Sequence, residues 1–475
     1  MPNPFRYFIE AIGRGLAHVG WIQTAHVRPI ANLAWPRILT GLARMSKATA
    51  DLAMIGMAIG AAGIAGIGYG VPYWTLAYMV GGGIAGGTIS LVSQRFGANR
   101  PEDISTVLSI STVYALTATV PLLALFWMIP EPLIRLIGSG EEAIRYGTDY
   151  LQVASLAMPF AALNLVSSRA LVGANEAWIP MVIRAGGAFA NIGFSAFLIF
   201  GLDLGVVGAA LGTVIGTASV TVVFGIGLVR GRLPVVGKLP IQWQRAAAQW
   251  DRTLSLDFLR IASPLALRKL TQGSTHFPML AIVSMFGPQV VAAYVVAIRV
   301  RGLMNTPGWG FGLASSSLVG QALGRHEEAE ARTVAQDALR FTMATYLLVA
   351  TAIFIGATPV ARLFVQEPEV IQLTAGLIRA ACVSVVLKGL MNGAIGPLRA
   401  SGDTTWPFYG QLAGLVFFSL PLAYTGATTA LALWGLYLAL VAEKGVPAAV
   451  AYYRYHTQRW LAISRRYRTG RASTN

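Results

Sequence analysis

Residues Ala34–Gly60 read AWPRILTGLARMSKATADLAMIGMAIG. The length suits a helix that crosses a hydrocarbon core of ~30 Å. Four ionisable residues interrupt it, namely Arg37, Arg44, Lys47 and Asp51. At about 100° per residue they fall within about 80° of one another on a helical wheel, and Ala, Leu, Ile and Met cover most of the rest. A helix that keeps one charged stripe inside lipid must turn that stripe toward protein or water. The stretch is therefore expected to wall a polar cavity, with Asp51 as its only acid.

The rest of the chain places this helix in a membrane. Only 12% of the 475 residues are charged, about half the share of a soluble globular chain. Mean hydropathy is +0.60, and apolar runs long enough to span recur from end to end. The net charge of +16 would suggest nucleic acid in a soluble protein. Here the basic residues collect in alternate loops and in the tails, as the positive-inside rule describes. No nucleic-acid partner is expected; membrane lipid and a small organic substrate are, with the chain acting as a monomer. The single cysteine, Cys382, excludes an internal disulfide and a Cys-based metal site. Residues 1–29 are mildly amphipathic, without the apolar core and cleavage site of a signal peptide. They are expected to form a cytoplasmic or interfacial segment.

Twelve spans are expected, near 30–58, 63–94, 104–129, 144–172, 177–201, 205–229, 258–286, 289–322, 333–364, 369–400, 405–427 and 430–456. Arg95, Arg100, Arg230, Arg232, Lys238, Arg325 and the tail arginines Arg459, Arg465 and Arg466 lie on one side. Arg135, Arg145 and Arg362 lie on the other, among Glu131, Glu141, Glu142, Glu367 and Glu369. The asymmetry puts both termini in the cytoplasm of a multi-pass protein of the inner or plasma membrane. Residues 230–257, with Pro234, Pro240 and Trp250, read as a cytoplasmic linker carrying an interfacial helix. It separates an N-terminal lobe, 30–229, from a C-terminal lobe, 258–456, and 457–475 form a basic tail.

The two lobes repeat each other. Ser90-Leu-Val-Ser-Gln-Arg-Phe-Gly97 matches Ser317-Leu-Val-Gly-Gln-Ala-Leu-Gly324, and Gly173-Ala-Asn-Glu-Ala-Trp178 matches Ser401-Gly-Asp-Thr-Thr-Trp406. The register, about 227–228 residues, holds across both pairs, so this is an internal repeat. Six spans per half make the repeats parallel. The fold expected is an all-α membrane protein of two six-helix lobes. In the motifs, small residues allow close helix approach and the terminal glycine is read as a helix cap.

The order of these pieces, SLVSQRFGANRPED, LVGANEAWIP, SLVGQALGRHEEAEA and PLRASGDTTWP after spans 2, 4, 8 and 10, with an Asp in span 1, resembles the multidrug and toxic compound extrusion (MATE) transporters. The resemblance covers roughly residues 30–456. It implies antiport by alternating access between two lobes, an organic compound leaving as H⁺ or Na⁺ enters. No cofactor beyond that ion is implied, and the chain is not expected to be an enzyme. No Walker A pattern supports ATP-driven transport.

The resemblance makes Asp51 the ion-coupling residue. A carboxylate among apolar residues also has raised proton affinity on general grounds. The competing reading is a fixed ion pair with Lys47, one turn away, or with Arg44. Asn191 and Thr213 match polar positions of the archaeal and DinF-like branch, so Asp51, Asn191 and Thr213 are candidate Na⁺ ligands. Ser195 stands where that branch usually has an aspartate, and losing one anionic ligand favours H⁺. In the second half Gln272 and Lys388 stand where NorM-like members carry acids, so no cation site is expected there.

The cavity candidates are Arg44, Lys47, Tyr73, Trp74, Tyr78, Met79, Gln272, His276, Arg299, Met304 and Lys388. Aromatic and Met side chains bind flat cations, although ordinary packing accounts for each singly, and for His276 as well. Arg268 and Lys269 are read as snorkelling to headgroups. A rival function on the same broad fold is a flippase or exporter for an anionic lipid-linked or organic substrate held by the intramembrane Arg and Lys residues. A non-transporting scaffold is the other.

Overall fold

The structure is a computed structural model and describes residues 4–138, 140–234, 236–247, 250–274, 276–365 and 367–468. In chain order they form α1 (Pro4–His18), α2 (Thr24–Ala58), α3 (Ala61–Gly97), α4 (Pro101–Met128), α5 (Pro130–Arg135), α6 (Glu141–Ser155), α7 (Met158–Gly173), α8 (Trp178–Ala196) and α9 (Gly205–Arg230). A two-residue antiparallel pair follows, β1 (Arg232–Leu233) and β2 (Gly237–Lys238). Then come α10 (Arg252–Ser274), α11 (His276–Ser284), α12 (Pro288–Met304), α13 (Thr306–Gly324), α14 (Glu328–Ile355), α15 (Ala357–Arg362), α16 (Pro368–Ser401), α17 (Thr405–Ala413), α18 (Leu420–Thr428), α19 (Leu433–His456) and α20 (Arg459–Arg468). π-Helical turns extend α8 at Phe197–Gly201 and join α17 to α18 at Gly414–Ser419.

Among the described residues seven helices are individually long and apolar enough to cross a membrane, and α6 with α7, bent by 48°, makes an eighth. The other four expected spans fall short for local reasons. α2 carries the charged stripe. α10 carries Asp257, Arg260, Arg268 and Lys269, and α12–α13 is interrupted at Asn305, just before Pro307. α17–α18 is broken by its π-helical stretch. With these, twelve helical rods form the two six-helix halves.

The repeat extends to turn geometry. α3 and α13 both end in a Schellman arrangement. Asn99 (φ 54°) and His326 (φ 65°) take the left-handed conformation, with Arg100 N donating to Arg95 O at 3.0 Å and Glu327 N to Ala322 O at 3.0 Å. Gly97 and Gly324 are the last helical residues and have no positive φ. The cap expected at the glycines thus falls two residues later, where Asn and His tolerate it. The motif serines are buried, and a Cβ on Gly173 would lie 3.2 Å from Ser93 N. Small residues let α3 and α7 approach here.

The chain divides into two compact units, Leu39–Leu270 and Met1–Ile38 with Thr271–Asn475. These bounds differ from the expected lobes because each half lends the start of its first helix to the other unit. Within the first, a Cβ on Gly83 would lie 2.2 Å from Ala266 Cα, so the start of α10 lies against α3. Within the second, a Cβ on Gly310 would lie 2.4 Å from Ala34 O, so the start of α2 lies against α13. The exchange obeys the repeat.

The interfacial helix expected in the linker does not form among the described residues. Gly231 and Gly237, both with positive φ, and Pro234 and Pro240 favour turns instead. The segment is fastened to α4: Trp243 Nε1 donates to Ser109 Oγ at 2.9 Å and Thr106 Oγ1 to Ala247 O at 2.9 Å. The N-terminal segment is likewise docked, on α14. Arg340 Nη1 donates to Trp21 O at 2.6 Å and Gln23 N to Asp337 Oδ2 at 3.0 Å.

Candidate functional site

Within Leu39–Leu270, α2, α8 and α9 bring together the charged stripe and the polar residues of the candidate ion site. A stripe of small residues makes this approach close. Gly208, Gly212 and Gly216 recur every fourth residue along one face of α9, and all three meet α8 or its π-helical extension. A Cβ on Gly212 would lie 2.2 Å from Ser195 Oγ, and one on Gly216 would lie 2.8 Å from Asn191 Cβ. Asn191, Ser195 and Thr213 are buried.

Lys47 reaches across from α2. Its Nζ donates to Asp51 Oδ2 at 3.0 Å and to Thr213 Oγ1 at 3.1 Å. Thr213 Oγ1 donates to Ala209 O at 3.2 Å, and Asn191 Nδ2 approaches Thr213 Oγ1 at 3.5 Å. Three oxygens of the cluster are buried without a hydrogen-bond partner among the described residues: Asp51 Oδ1, Asn191 Oδ1 and Ser195 Oγ. Buried polar atoms are normally satisfied, and free oxygens of this kind have the chemistry to accept a proton or to coordinate a small cation. An apolar patch of Met54, Ile55, Ile67, Ile199 and Val206 packs beside it.

Nearer the start of the stripe, Arg44 places its guanidinium 5.1 Å from the Tyr78 ring centre. Arg184 Nη2 donates to the Tyr78 hydroxyl at 3.2 Å. Arg184 Nη1 is buried without a partner among the described residues. Arg184 is not among the sequence-derived candidates. The signal for it was available, because it is a lone cation in the apolar span Trp178–Gly201, and such residues are functional by default.

Other candidates lie elsewhere. Tyr73 donates to Leu133 O and packs edge-on to Phe126, with Trp74 in the same apolar cluster. Met79 is half-buried on the same helix. Met304, expected on a cavity wall, is 4% exposed in the core, with its sulfur 3.8 Å from Cys382 Sγ. A flexible thioether fills such gaps. Arg299 is exposed and Gln272 half-buried. The His276 side chain lies outside the described residues. Arg268, expected to snorkel, is buried instead.

Lys388 joins a polar network in the other unit. The Asn305 amide lies 2.8 Å from Lys388 Nζ, 3.2 Å from Trp309 Nε1 and 2.8 Å from the Tyr346 hydroxyl, and it meets all three with its oxygen toward Lys388 and Trp309. Deeper in that unit Glu443 pairs with Arg301 at 2.6 Å and with Lys444 at 2.6 Å.

Comparison with known proteins agrees with this architecture. The MatE family model matches residues 36–197 and again 264–425. The probable multidrug resistance protein YoeA of Bacillus subtilis is 23% identical over 424 residues, 88% of this chain and 89% of its own. The probable multidrug resistance protein NorM of Rhodopseudomonas palustris is 26% identical, covering 89% and 90%. Among solved structures, a MATE transporter in a bent conformation superposes with a TM-score of 0.83 at 21% identity, over 99% of this chain and 100% of that one. A MOP superfamily transporter from Pyrococcus furiosus gives 0.82 at 22%, over 92% and 96%. The family model matches both halves in the register of the internal repeat, and the chain belongs to the MatE family of multi-pass membrane transporters.

Proposed function

We propose that this protein is a secondary active exporter of organic compounds that takes in a proton in exchange, with Asp51 as the proton-exchanging group. The observation that carries this reading is the half-paired state of Asp51. One carboxylate oxygen is held by Lys47, and the other is buried and has no hydrogen-bond partner among the described residues. Protonation would put a hydrogen on the free oxygen and weaken the bond to Lys47. The ammonium would then be held by Thr213 alone and free to move. Such a change biases transport only if the two conformations bind the proton unequally. Ser195, where a second carboxylate would favour a metal cation, supports the proton over Na⁺. The relatives described as probable multidrug resistance proteins support export of drug-like compounds. The loop charges support a plasma-membrane protein with both termini in the cytoplasm.

In inverted vesicles, substrate movement should follow an imposed pH gradient and collapse in Asp51→Asn. Normal gradient-driven movement in that variant would remove Asp51 from the coupling role.

A second reading concerns substrate charge. Arg44 and Arg184 converge on Tyr78, and Arg184 keeps a buried nitrogen without a partner among the described residues. A guanidinium in that state suits a carboxylate or phosphate. Competition between an anionic and a cationic dye, in wild type and Arg184→Gln, distinguishes the readings. Anion preference lost in the variant supports the second; cation preference unchanged by it rejects it.

A further inference from the structure

The geometry points to Lys47 as a resident cation that occupies the candidate metal-ion position of Leu39–Leu270 and makes the transporter indifferent to Na⁺. The inference rests on the reading of this cluster as the coupling site, and goes beyond it by assigning ion selectivity to one residue.

A monovalent cation held by Asp51, Thr213 and Asn191 would need their oxygens directed at a common point. In the structure the Lys47 ammonium already sits at that point for two of the three, 3.0 Å from Asp51 Oδ2 and 3.1 Å from Thr213 Oγ1. The Asn191 amide turns its nitrogen, not its oxygen, toward Thr213. The lysine thus supplies the same single positive charge and directs N–H donors at the same acceptors.

Sodium could enter only by displacing the ammonium or by binding beside it. Displacement would leave a partly buried lysine without its carboxylate. Binding beside it would place two like charges within a few ångströms of one carboxylate. A tethered cation is also present at every ion concentration, so a free ion competes against a permanent occupant. The proton escapes this competition because it adds covalently to the Asp51 oxygen that Lys47 leaves free.

Removing the tethered ammonium should therefore create a sodium site from residues already in place. The oxygens left behind would be Asp51 Oδ1 and Oδ2, Thr213 Oγ1, Asn191 Oδ1 after rotation of the amide, and Ser195 Oγ. Three of these are buried and without a partner among the described residues even with Lys47 present.

The test is the thermal midpoint of the purified full-length protein in detergent, with NaCl replaced stepwise by choline chloride at constant ionic strength. Wild type should melt at the same temperature in both salts. Lys47→Ala should gain a midpoint that rises with the logarithm of Na⁺ concentration, as mass action requires. Lys47→Ala combined with Asp51→Asn should lose that rise, and Lys47→Arg should show none. Lys47→Met keeps the stem and gives the same reading if the alanine variant does not fold. A Na⁺-dependent midpoint in wild type that Asp51→Asn abolishes would overturn the inference. So would a folded Lys47→Ala or Lys47→Met variant with no Na⁺ response. The readout is binding and needs no transport, so an Asp51→Asn variant that still transports would sink the proposed coupling role without touching this result.

Discussion

At the scale of single residues, the candidate site depends on atoms that are absent as much as on those present. Gly212 has no Cβ because Ser195 occupies the space, and a methyl there would lie 2.2 Å from Ser195 Oγ and 2.8 Å from its backbone nitrogen. The backbone cannot yield as a flexible side chain does, so Gly212→Ala should destabilise by about 1–3 kcal/mol through overpacking. Gly186 on α8 has open space where its Cβ would project, so Gly186→Ala should be neutral or slightly stabilising. Thermal midpoints of the two variants in detergent check the pair, and equal shifts would contradict the packing argument. Glu443 makes the opposite case, where a present group is indispensable. It faces both Arg301 and Lys444 inside its unit. Glu443→Gln would leave two buried cations without their shared anion, at a cost of about 3–5 kcal/mol. Glu443→Gln with Lys444→Met should recover part of that loss in the same assay.

Elements show where sequence reading reaches its limit. The charged stripe of α2 was legible because 3.6-residue periodicity puts Arg44, Lys47 and Asp51 on one face whatever surrounds them. The partner of Asp51 was legible only as a choice between Arg44 and Lys47, and tertiary packing selects Lys47. The docking of α1 and the start of α2 was not legible. It depends on His26, whose Nδ1 lies 2.6 Å from Asp337 Oδ2 and whose Nε2 lies 3.0 Å from Glu330 Oε1. Those acids are more than three hundred residues away in sequence, and no local pattern joins them to a histidine. The hydrogen bond from His26 to the Asp337 carboxylate is the main cause that raises the His26 pKa above its ordinary value of 6.5, against the effect of burial. A raised pKa means that the folded state holds the proton more tightly. The stabilisation is complete below about pH 6.5 and is lost as pH rises through the higher folded value. The midpoint difference between wild type and His26→Gln should therefore be largest under mildly acidic conditions and shrink as the solution becomes alkaline. A difference that grows with pH would show that His26 is held neutral.

For the whole molecule, the repeat was legible from two motif pairs, yet the units it produces are chemically unequal. The family model matches the halves 228 residues apart in number, at 36–197 and 264–425. That offset carries Asp51 to Met279, Asn191 to Ser419, Ser195 to Ala423 and Thr213 to Val441. Met279 and Ala423 are buried in the apolar core of their unit, and Ser419 Oγ is spent on Ala439 O at 3.0 Å. The second unit thus carries no carboxylate where the first has Asp51, and two of the four positions are given over to apolar packing. Its charged cluster of Arg301, Glu443 and Lys444 stands at positions unrelated to that cluster by the repeat. The architecture is thus doubled and the candidate coupling site is single, which is why motif symmetry revealed the fold and could not assign the site. One comparison tests the asymmetry directly. Asn191→Ala deletes an amide directed at Thr213 and should lower pH-gradient-driven export by about fivefold, the worth of one hydrogen bond near 1 kcal/mol. Ser419→Ala, its partner under the repeat, removes a hydroxyl that bonds only a helical carbonyl and should leave export within about twofold, a change below that worth. Both are measured as initial rates in the same inverted vesicles at matched protein levels. Equal losses in the two variants would mean that coupling is shared between the halves and that the single-site account fails.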